Sequence, residues 1–445
     1  MYARHLARLD RILALALEQQ RAAGAAFDAV VLFTGRVGRY HADDQAIPFR
    51  PTPHLAWWVP IEAPDSFVLV RPGARPRVVR VTPRDYWEDT SPPPPSFWEQ
   101  EVELRERESL DDAIRAIDAP ARTAWIGPAP DVARRCGISD AGAIEPASLL
   151  AALDWHRAAK DSHELRLVRE AVARAARGHL AARDAFLAGA SEVEVHRAYL
   201  EGAEHLEREL PFESIVAFDE KAAILHYQRK RGRERAPGWL ALVDNGAQAG
   251  GYAADLTRTW LRPGASRLAE QVLHDLDRLQ RELVGAVAPG VPWPEIHARA
   301  HRGVAALLVR AGVLRCGVEE ALAKGIARLF MPHGVGHLLG LQVHEVGGHL
   351  ASPDGRRAPP PPTEPYLRST RTLEPGHLVT VEPGVYVNDL LLGPLRAGPD
   401  AGLVDWTAVD ELAPYGGMRI EDDVVCTDAG RDDLSRPLLV GPRGE

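Results

Sequence analysis

"LALVDNGAQAGGYAADLTRTW", Leu240–Trp260, is the stretch on which the fold turns. Two runs rich in apolar and β-branched residues flank a glycine-rich centre, the pattern of two strands joined by a tight turn. With the turn centred near Ala249 and Gly250, Asp244 and Asp255 are expected to face each other across the ladder. Directly opposed residues have Cβ atoms roughly 4.5–5.5 Å apart, and two carboxylates that close repel unless something positive lies between them. Asp255 sits among apolar and β-branched neighbours, so it is expected to point inward, where a carboxylate needs a partner.

Two more acids occupy comparable settings. Glu382 follows the apolar run "HLVTV" and precedes "PGVY", so it ends a strand at a sharp turn; Glu421 lies inside the strand-like "GMRIEDDVV". Either one alone would be an ordinary strand-end acid. Four inward-facing acids in one antiparallel region, with one imidazole added, describe a hard, oxygen-rich site for two divalent metals. Carboxylates with a single imidazole favour manganese or a similar ion over metals that prefer thiolates. Two metals about 3.5–4 Å apart can share a hydroxide as nucleophile, which is a hydrolase design.

The imidazole is sought in "MPHGVGHLLGLQVHE", Met331–Glu345, which holds His333, His337 and His344. A zinc-protease helix is excluded, because that motif needs a helix with a glutamate beside its first histidine, whereas Gly334 and Gly336 lie between His333 and His337. On the residues alone, His333 and His337 read as a ligand pair.

The rest of the chain supplies the frame. A length of 445 residues allows two or more domains, and the formal charge of −9 argues against nucleic acid as the main partner. The basic run "HYQRKRGRER", His226–Arg235, reads as a solvated loop. Cys136, Cys316 and Cys426 are far apart and lack CxxC spacing, which suits a reducing, cytoplasmic setting and excludes a disulfide scaffold. The first residues read as an amphipathic helix rather than a signal peptide, and no stretch reaches membrane-spanning length.

Strand-like runs at Ala29–Phe33, Ser66–Val70, Arg77–Val81 and Thr123–Gly127, interspersed with helical patterns, predict an α/β domain. The proline-rich Ser91–Trp98 is expected to be a surface connection. From Asp161 the pattern changes to long helices, expected at Asp161–Gly189, Ser266–Val287 and Trp293–Ala311, with strand-like segments between and after them. A boundary at about residue 157 therefore separates an α/β domain, 1–157, from an α+β domain, 158–445.

The segments "AAILHY", "GYAADLTRTW", "FMPHGVGHLLGLQVHE", "PYLRSTRTLEPG", "TVEPGVY" and "GGMRIEDDVV" together resemble the metal-dependent Xaa-Pro peptidases with the pita-bread (creatinase/aminopeptidase) fold, and among them the bacterial Xaa-Pro dipeptidases, or prolidases. "IPFRP", "WWVP" and "PPPPSFW" in the first domain are similar too, though less specific. The resemblance implies a creatinase-like first domain and a catalytic domain built on a curved antiparallel sheet with flanking helices. It implies Asp244, Asp255, His337, Glu382 and Glu421 as metal ligands, with Asp255 and Glu421 bridging. His226, His333 and His344 would lie nearby without metal, and the glycines would mark close approach of backbone to the site.

The implied reaction is hydrolysis of Xaa-Pro dipeptides by a metal-bridging hydroxide. Glu382 would relay the proton, and His344 with His226 would stabilise the tetrahedral intermediate. Arg368 would bind the proline carboxylate; Arg419, also a substrate-side candidate, is better suited to orienting site carboxylates. A homodimer is implied as well. One departure is Phe212, where the family places tyrosine, which removes a hydroxyl beside the small subsite. Competing readings are organophosphorus triester hydrolysis at the same site, action on longer Xaa-Pro peptides, and a metal-free binding module.

Overall fold

The computed structural model describes residues 1–87, 96–233 and 238–439. Ser91–Pro95 of the expected proline-rich connection, and Glu234 and Arg235 of the basic run, lie outside the described residues. The chain divides into two compact units, the first comprising Met1–Arg157, Asp161–His163 and Leu350–Arg357, the second the remainder.

In the first unit the opening helix, Tyr2–Ala22, buries Leu6, Leu9, Leu13, Ala16 and Leu17, a stripe at helical spacing. Five strands follow among the described residues: β1 (Ala29–Phe33), β2 (Phe67–Val70), β3 (Arg77–Val81), β4 (Glu103–Arg107) and β5 (Thr123–Ile126). They form one sheet in the order β4-β3-β2-β1-β5, with β1/β5 and β3/β4 parallel and the other pairs antiparallel. β4, with the sequence ELRER, escaped the pattern reading because it has no apolar alternation; it is an edge strand, where charged side chains are tolerated.

Among the described residues the second unit has ten short strands, all paired antiparallel: β6 (Ile215–Phe218), β7 (Leu240–Asn245), β8 (Gln248–Ala249), β9 (Tyr252–Ala253), β10 (Leu256–Leu261), β11 (Leu378–Val381), β12 (Gly384–Tyr386), β13 (Gly417–Arg419), β14 (Asp422–Thr427) and β15 (Gly430–Asp433). They assemble as β10-β7-β6, β11-β14-β15, β12-β13 and β8-β9, and single bridges such as Thr257↔Glu421 and Leu338↔Val379 link neighbouring pieces. Breaks at Gly and Pro let the pieces turn relative to one another, as a curved sheet requires.

Helices cover the strands. Ser266 caps the Arg267–Gly285 helix by accepting from the Ala269 amide at 3.1 Å, and the helix buries Val272, Leu276, Leu279 and Leu283. That face packs with Trp293 and Val304 of the Trp293–Arg310 helix against Leu242, Val379, Val381 and Val424 in one core. Each fully buried side chain of this kind contributes roughly 1.5–3 kcal/mol relative to exposure. The Ser162–Leu187 helix places Val168 and Val172 in a second core with Ala249, Tyr252, Leu378 and Val425. No helix among the described residues is long and apolar enough to cross a membrane.

One register expectation is corrected. Asp244 pairs with Thr257, not with Asp255. The turn falls at Gly250 and Gly251, both with positive φ (+54° and +83°), one residue later than the sequence suggested. Moving a turn by one residue shifts the ladder by two, and an even shift leaves side chains on the same face. Asp255 is therefore a diagonal rather than a direct neighbour of Asp244, and the two still face the same side.

The glycines of the histidine segment answer to neighbouring backbone. The segment runs beside β11: the Thr380 amide donates to the His337 carbonyl (3.0 Å), Glu382 to Val335 (2.8 Å) and Leu339 to Leu378 (3.0 Å). At Gly336, φ is +152° and a Cβ would come within 2.0 Å of the Thr380 carbonyl oxygen. Gly336→Ala is expected to lower unfolding stability by about 2 kcal/mol or more, read as a shift in the urea midpoint. A change below about 0.5 kcal/mol would show that this close approach is not a constraint.

Candidate metal centre

Asp244 is the penultimate residue of β7, Asp255 immediately precedes β10, Glu382 follows β11, and Glu421 lies between β13 and β14. His337 comes from the segment paired with β11, which is why it and Glu382 are neighbours. Ligand atoms of Asp255, His337 and Glu421 all lie within 4.8 Å of one another. His337 Nε2 is 3.5 Å from Asp255 Oδ2 and 3.7 Å from Glu382 Oε1, longer than ordinary hydrogen bonds.

The histidine is pre-set for coordination. Its Nδ1 lies 3.0 Å from the Leu338 carbonyl oxygen, which can only accept, so Nδ1 carries the proton and Nε2 presents a lone pair to the carboxylates. Its amide donates to Thr380 Oγ1 at 3.1 Å, fixing the backbone beneath it.

The carboxylates are buried with too little positive charge. Burial pushes Asp244 up to about 6 against the pull of Arg419, with Asp255 adding to the rise. Burial pushes Glu382 up to about 7, opposed by His337 and Arg419 and reinforced by Asp255 and Asp244. Glu421 is held well above the carboxylate range by burial and by Asp255, Glu382 and Asp244. Burial would lower His337, yet Asp255 and Glu382 hold it above its usual value. Asp422, the residue after Glu421, is shifted the other way: Arg258 Nη2 donates to it at 2.5 Å and Arg436 Nε at 3.0 Å, and they hold it low despite burial. Among the site-facing acids Asp244 has one such partner, Arg419, on Oδ2, while its Oδ1 is buried with no hydrogen bond.

Divalent cations fit this donor set. Four carboxylates and one imidazole lone pair offer the hard ligands such ions take, and the unpaired Asp244 oxygen is the kind of atom a cation would satisfy.

A polar scaffold orients the carboxylates, and most of it was not singled out from sequence. Arg419 is buried and donates from Nη2 to Asp244 Oδ2 (2.5 Å), from Nη1 to Tyr386 Oη (2.7 Å) and from Nε to Thr257 Oγ1 (3.1 Å). Its Nε, Nη1 and Nη2 are all engaged inside the protein, an arrangement that suits a group orienting carboxylates. The Thr257 hydroxyl donates onward to Glu421 Oε2 at 2.6 Å. His333 Nδ1 faces the Gly334 carbonyl (2.8 Å), so its Nε2 accepts from the Tyr386 hydroxyl (2.9 Å). Burial and Arg419 push His333 down to about 3, so it stays neutral, 3.7 Å from Glu382. Strand parity could have flagged Thr257, two residues from Asp255, and Tyr386, four from Glu382.

Three further residues stand at the rim. The His344 ring meets that of His337 edge to face, with centroids 4.5 Å apart. Burial, His337, Arg368 and His226 push it down to about 4. His226 and Arg368 are exposed, within electrostatic reach of His344. Phe212 lies close to Gly246, two residues past Asp244: a Cβ there would come within 2.7 Å of its ring.

Residues 166–428 match metallopeptidase family M24, and residues 1–155 match the N-terminal domain of Xaa-Pro dipeptidase. The chain belongs to metallopeptidase family M24. It is 36% identical to a Xaa-Pro dipeptidase of Stenotrophomonas maltophilia (strain K279a), covering 100% of this chain and 98% of the relative. It is 38% identical to a Xaa-Pro dipeptidase of Xanthomonas campestris pv. campestris (strain B100), covering 99% and 98%. Among solved structures it superposes on the Pseudomonas aeruginosa aminopeptidase PepP with a TM-score of 0.71, 24% identity and coverage of 97% of this chain and 99% of that one. A variant of Escherichia coli aminopeptidase P in complex with substrate gives a TM-score of 0.73 at 20% identity, with 100% of each chain covered. The second unit has the pita-bread fold of this family, and membership makes the protein a metal-dependent hydrolase.

The raised carboxylates set a pH test with a definite sign. A folded state that holds protons which the unfolded chain has released loses stability as pH rises, here between the unfolded range near ~4 and the folded values of about 6 for Asp244 and about 7 for Glu382. Divalent metal replaces those protons. The rise in Tm on adding Mn2+ to metal-stripped protein is therefore expected to be larger at about pH 8 than at about pH 5.5. Equal gains at both would contradict like-charge repulsion at this site.

Proposed function

We propose that this protein hydrolyses dipeptides whose C-terminal residue is proline. The cluster of buried Asp255, His337 and Glu421 with half-buried Asp244 and Glu382, whose charges the chain's own cations do not balance, carries the reading. The match of residues 1–155 to a Xaa-Pro dipeptidase N-terminal domain supports dipeptides over longer Xaa-Pro peptides. No observation favours phosphotriesters or a binding role without metal. The domain boundary is drawn at about residue 157. We assign manganese as the metal from ligand hardness. A homodimer in the cytoplasm completes the reading; three cysteines without a disulfide suit a reducing compartment.

A Xaa-Pro bond is a tertiary amide without an N–H, so recognition must come from its other groups. When bound, two divalent cations acidify water to a nucleophile at neutral pH and polarise the scissile carbonyl. Asp244, Asp255, His337, Glu382 and Glu421 would hold them. Arg419, Thr257 and Tyr386 keep the carboxylates aimed. Glu382 holds the proton released by water and passes it to the leaving imino nitrogen. His333, neutral and 3.7 Å from Glu382, limits that carboxylate's orientation. His344, neutral at physiological pH, donates an N–H toward the carbonyl oxygen as negative charge develops, and His226 assists from the rim. Arg368 presents its guanidinium fork to the proline carboxylate. Phe212 makes the subsite beside Asp244 apolar where a tyrosine would have offered a hydroxyl.

Arg368→Ala is expected to raise KM for Ala-Pro by about tenfold or more, the loss of a charge-assisted pair, while KM for alanyl-prolinamide changes by less than about twofold. Steady-state kinetics of the manganese-loaded enzyme check this. An equal rise on both substrates would remove Arg368 from carboxylate recognition.

A further inference from the structure

Arg368 is exposed, yet the segment that carries it is held firmly. Before it runs "APPPPTEP", Ala358–Pro365, in which prolines remove the amide donors that would tie the chain down by backbone bonds. Within this run Glu364 is anchored by its side chain. Arg328 Nε donates to Glu364 Oε1 at 2.5 Å, and His297 Nε2 donates to Glu364 Oε2 at 3.0 Å. Arg328 belongs to the Ile326–Phe330 helix, which leads directly into the histidine segment; His297 belongs to the Trp293–Arg310 helix. Burial holds His297 below its usual value despite Glu364, so it is a neutral donor. Glu364 stays below the usual carboxylate range because His297 and Arg328 outweigh its own burial.

The clip passes directly into the Arg368 segment. The Glu364 carbonyl accepts from the Leu367 amide at 3.1 Å, closing a turn that ends one residue before Arg368. Leu367 is buried and its carbonyl accepts from His349 Nε2 at 2.8 Å. Beneath it, a Cβ on Gly334 would come within 2.9 Å of the Tyr366 carbonyl oxygen, so this segment lies directly on the segment bearing His333 and His337. Beyond it, the Thr370 amide donates to the Gly348 carbonyl at 2.9 Å.

His297, His301 and Glu364 also have atoms within 4.8 Å of one another, the spacing of a metal site. Arg328 argues against that use, because a metal ion there would sit beside a guanidinium already pairing with the only carboxylate of the set.

We infer that Glu364 is a positioning residue for substrate specificity: pinned by His297 and Arg328, it sets the place of Arg368 and thereby the enzyme's requirement for a free proline carboxylate. The inference rests on the assignment of Arg368 to that carboxylate. Glu364 touches neither substrate nor metal; it acts through four residues of chain.

The test is the kinetics of the manganese-loaded full chain on Ala-Pro and alanyl-prolinamide. Glu364→Ala is expected to raise KM for Ala-Pro by about tenfold and to leave kcat and the KM for the amide within about twofold. Glu364→Gln, which keeps one acceptor, is expected to show a smaller rise. Glu364→Ala added to Arg368→Ala is expected to raise KM no further, since both act through one contact. Equal effects on the two substrates, a fall in kcat, or additive effects in the double variant would make the clip a general stabiliser and overturn the inference. If Glu364→Ala fails to fold, the substrate ratio of Glu364→Gln decides. If Arg368→Ala itself does not separate the two substrates, the carboxylate assignment fails first and the positioning role falls with it.

Discussion

Like charge held together largely out of solvent is the constraint on which the second unit depends. Asp244, Asp255, Glu382 and Glu421 project from four different places in the sheet into one pocket, and Arg419 is the cation that reaches in among them. The contrast with Asp422, one residue from Glu421, is instructive. That carboxylate is equally buried but is matched by Arg258 and Arg436, and it stays ionised. Two arginines thus serve the single carboxylate of Asp422, whereas one arginine serves the four acids of the site. A fold that spends stability in this way is characteristic of a site shaped for chemistry.

Precision comes from groups that bind neither metal nor substrate. The Tyr386 hydroxyl accepts from Arg419 and donates to His333, while the Thr257 hydroxyl accepts from Arg419 and donates to Glu421. One guanidinium therefore aligns Asp244 directly and Glu421 through a threonine. His337 is aligned differently, through a carbonyl on its far nitrogen and a threonine beneath its amide. Ligand geometry in this pocket is set by hydrogen-bond direction as much as by backbone register.

The strands and long helices were readable in the sequence wherever burial produces a period, as in the Val272–Leu276–Leu279–Leu283 stripe and the runs that became β1 and β3. β4 was missed because an edge strand need not alternate. The Asp244 register was off by two residues because Gly250 and Gly251 offer two turn centres that sequence alone cannot separate; the shared face survived because the shift was even. The acids were conspicuous as charges inside apolar runs. The choice of His337 over His333 was not legible from residue type, since it depends on which carbonyl holds Nδ1 and which strand lies alongside. Glu364 was invisible for a related reason: it lies in a proline-rich run, and its partners are 36 and 67 residues away in sequence.

Proline release from Ala-Pro by metal-stripped protein, titrated with Mn2+, tests the central claim most directly, with Asp255→Ala measured alongside. The account predicts no release without metal, a rise to a plateau near about two equivalents per chain, and no recovery in a folded Asp255→Ala protein. Release by the stripped protein, or equal recovery in the variant, would contradict a reaction that depends on cations held by these buried carboxylates.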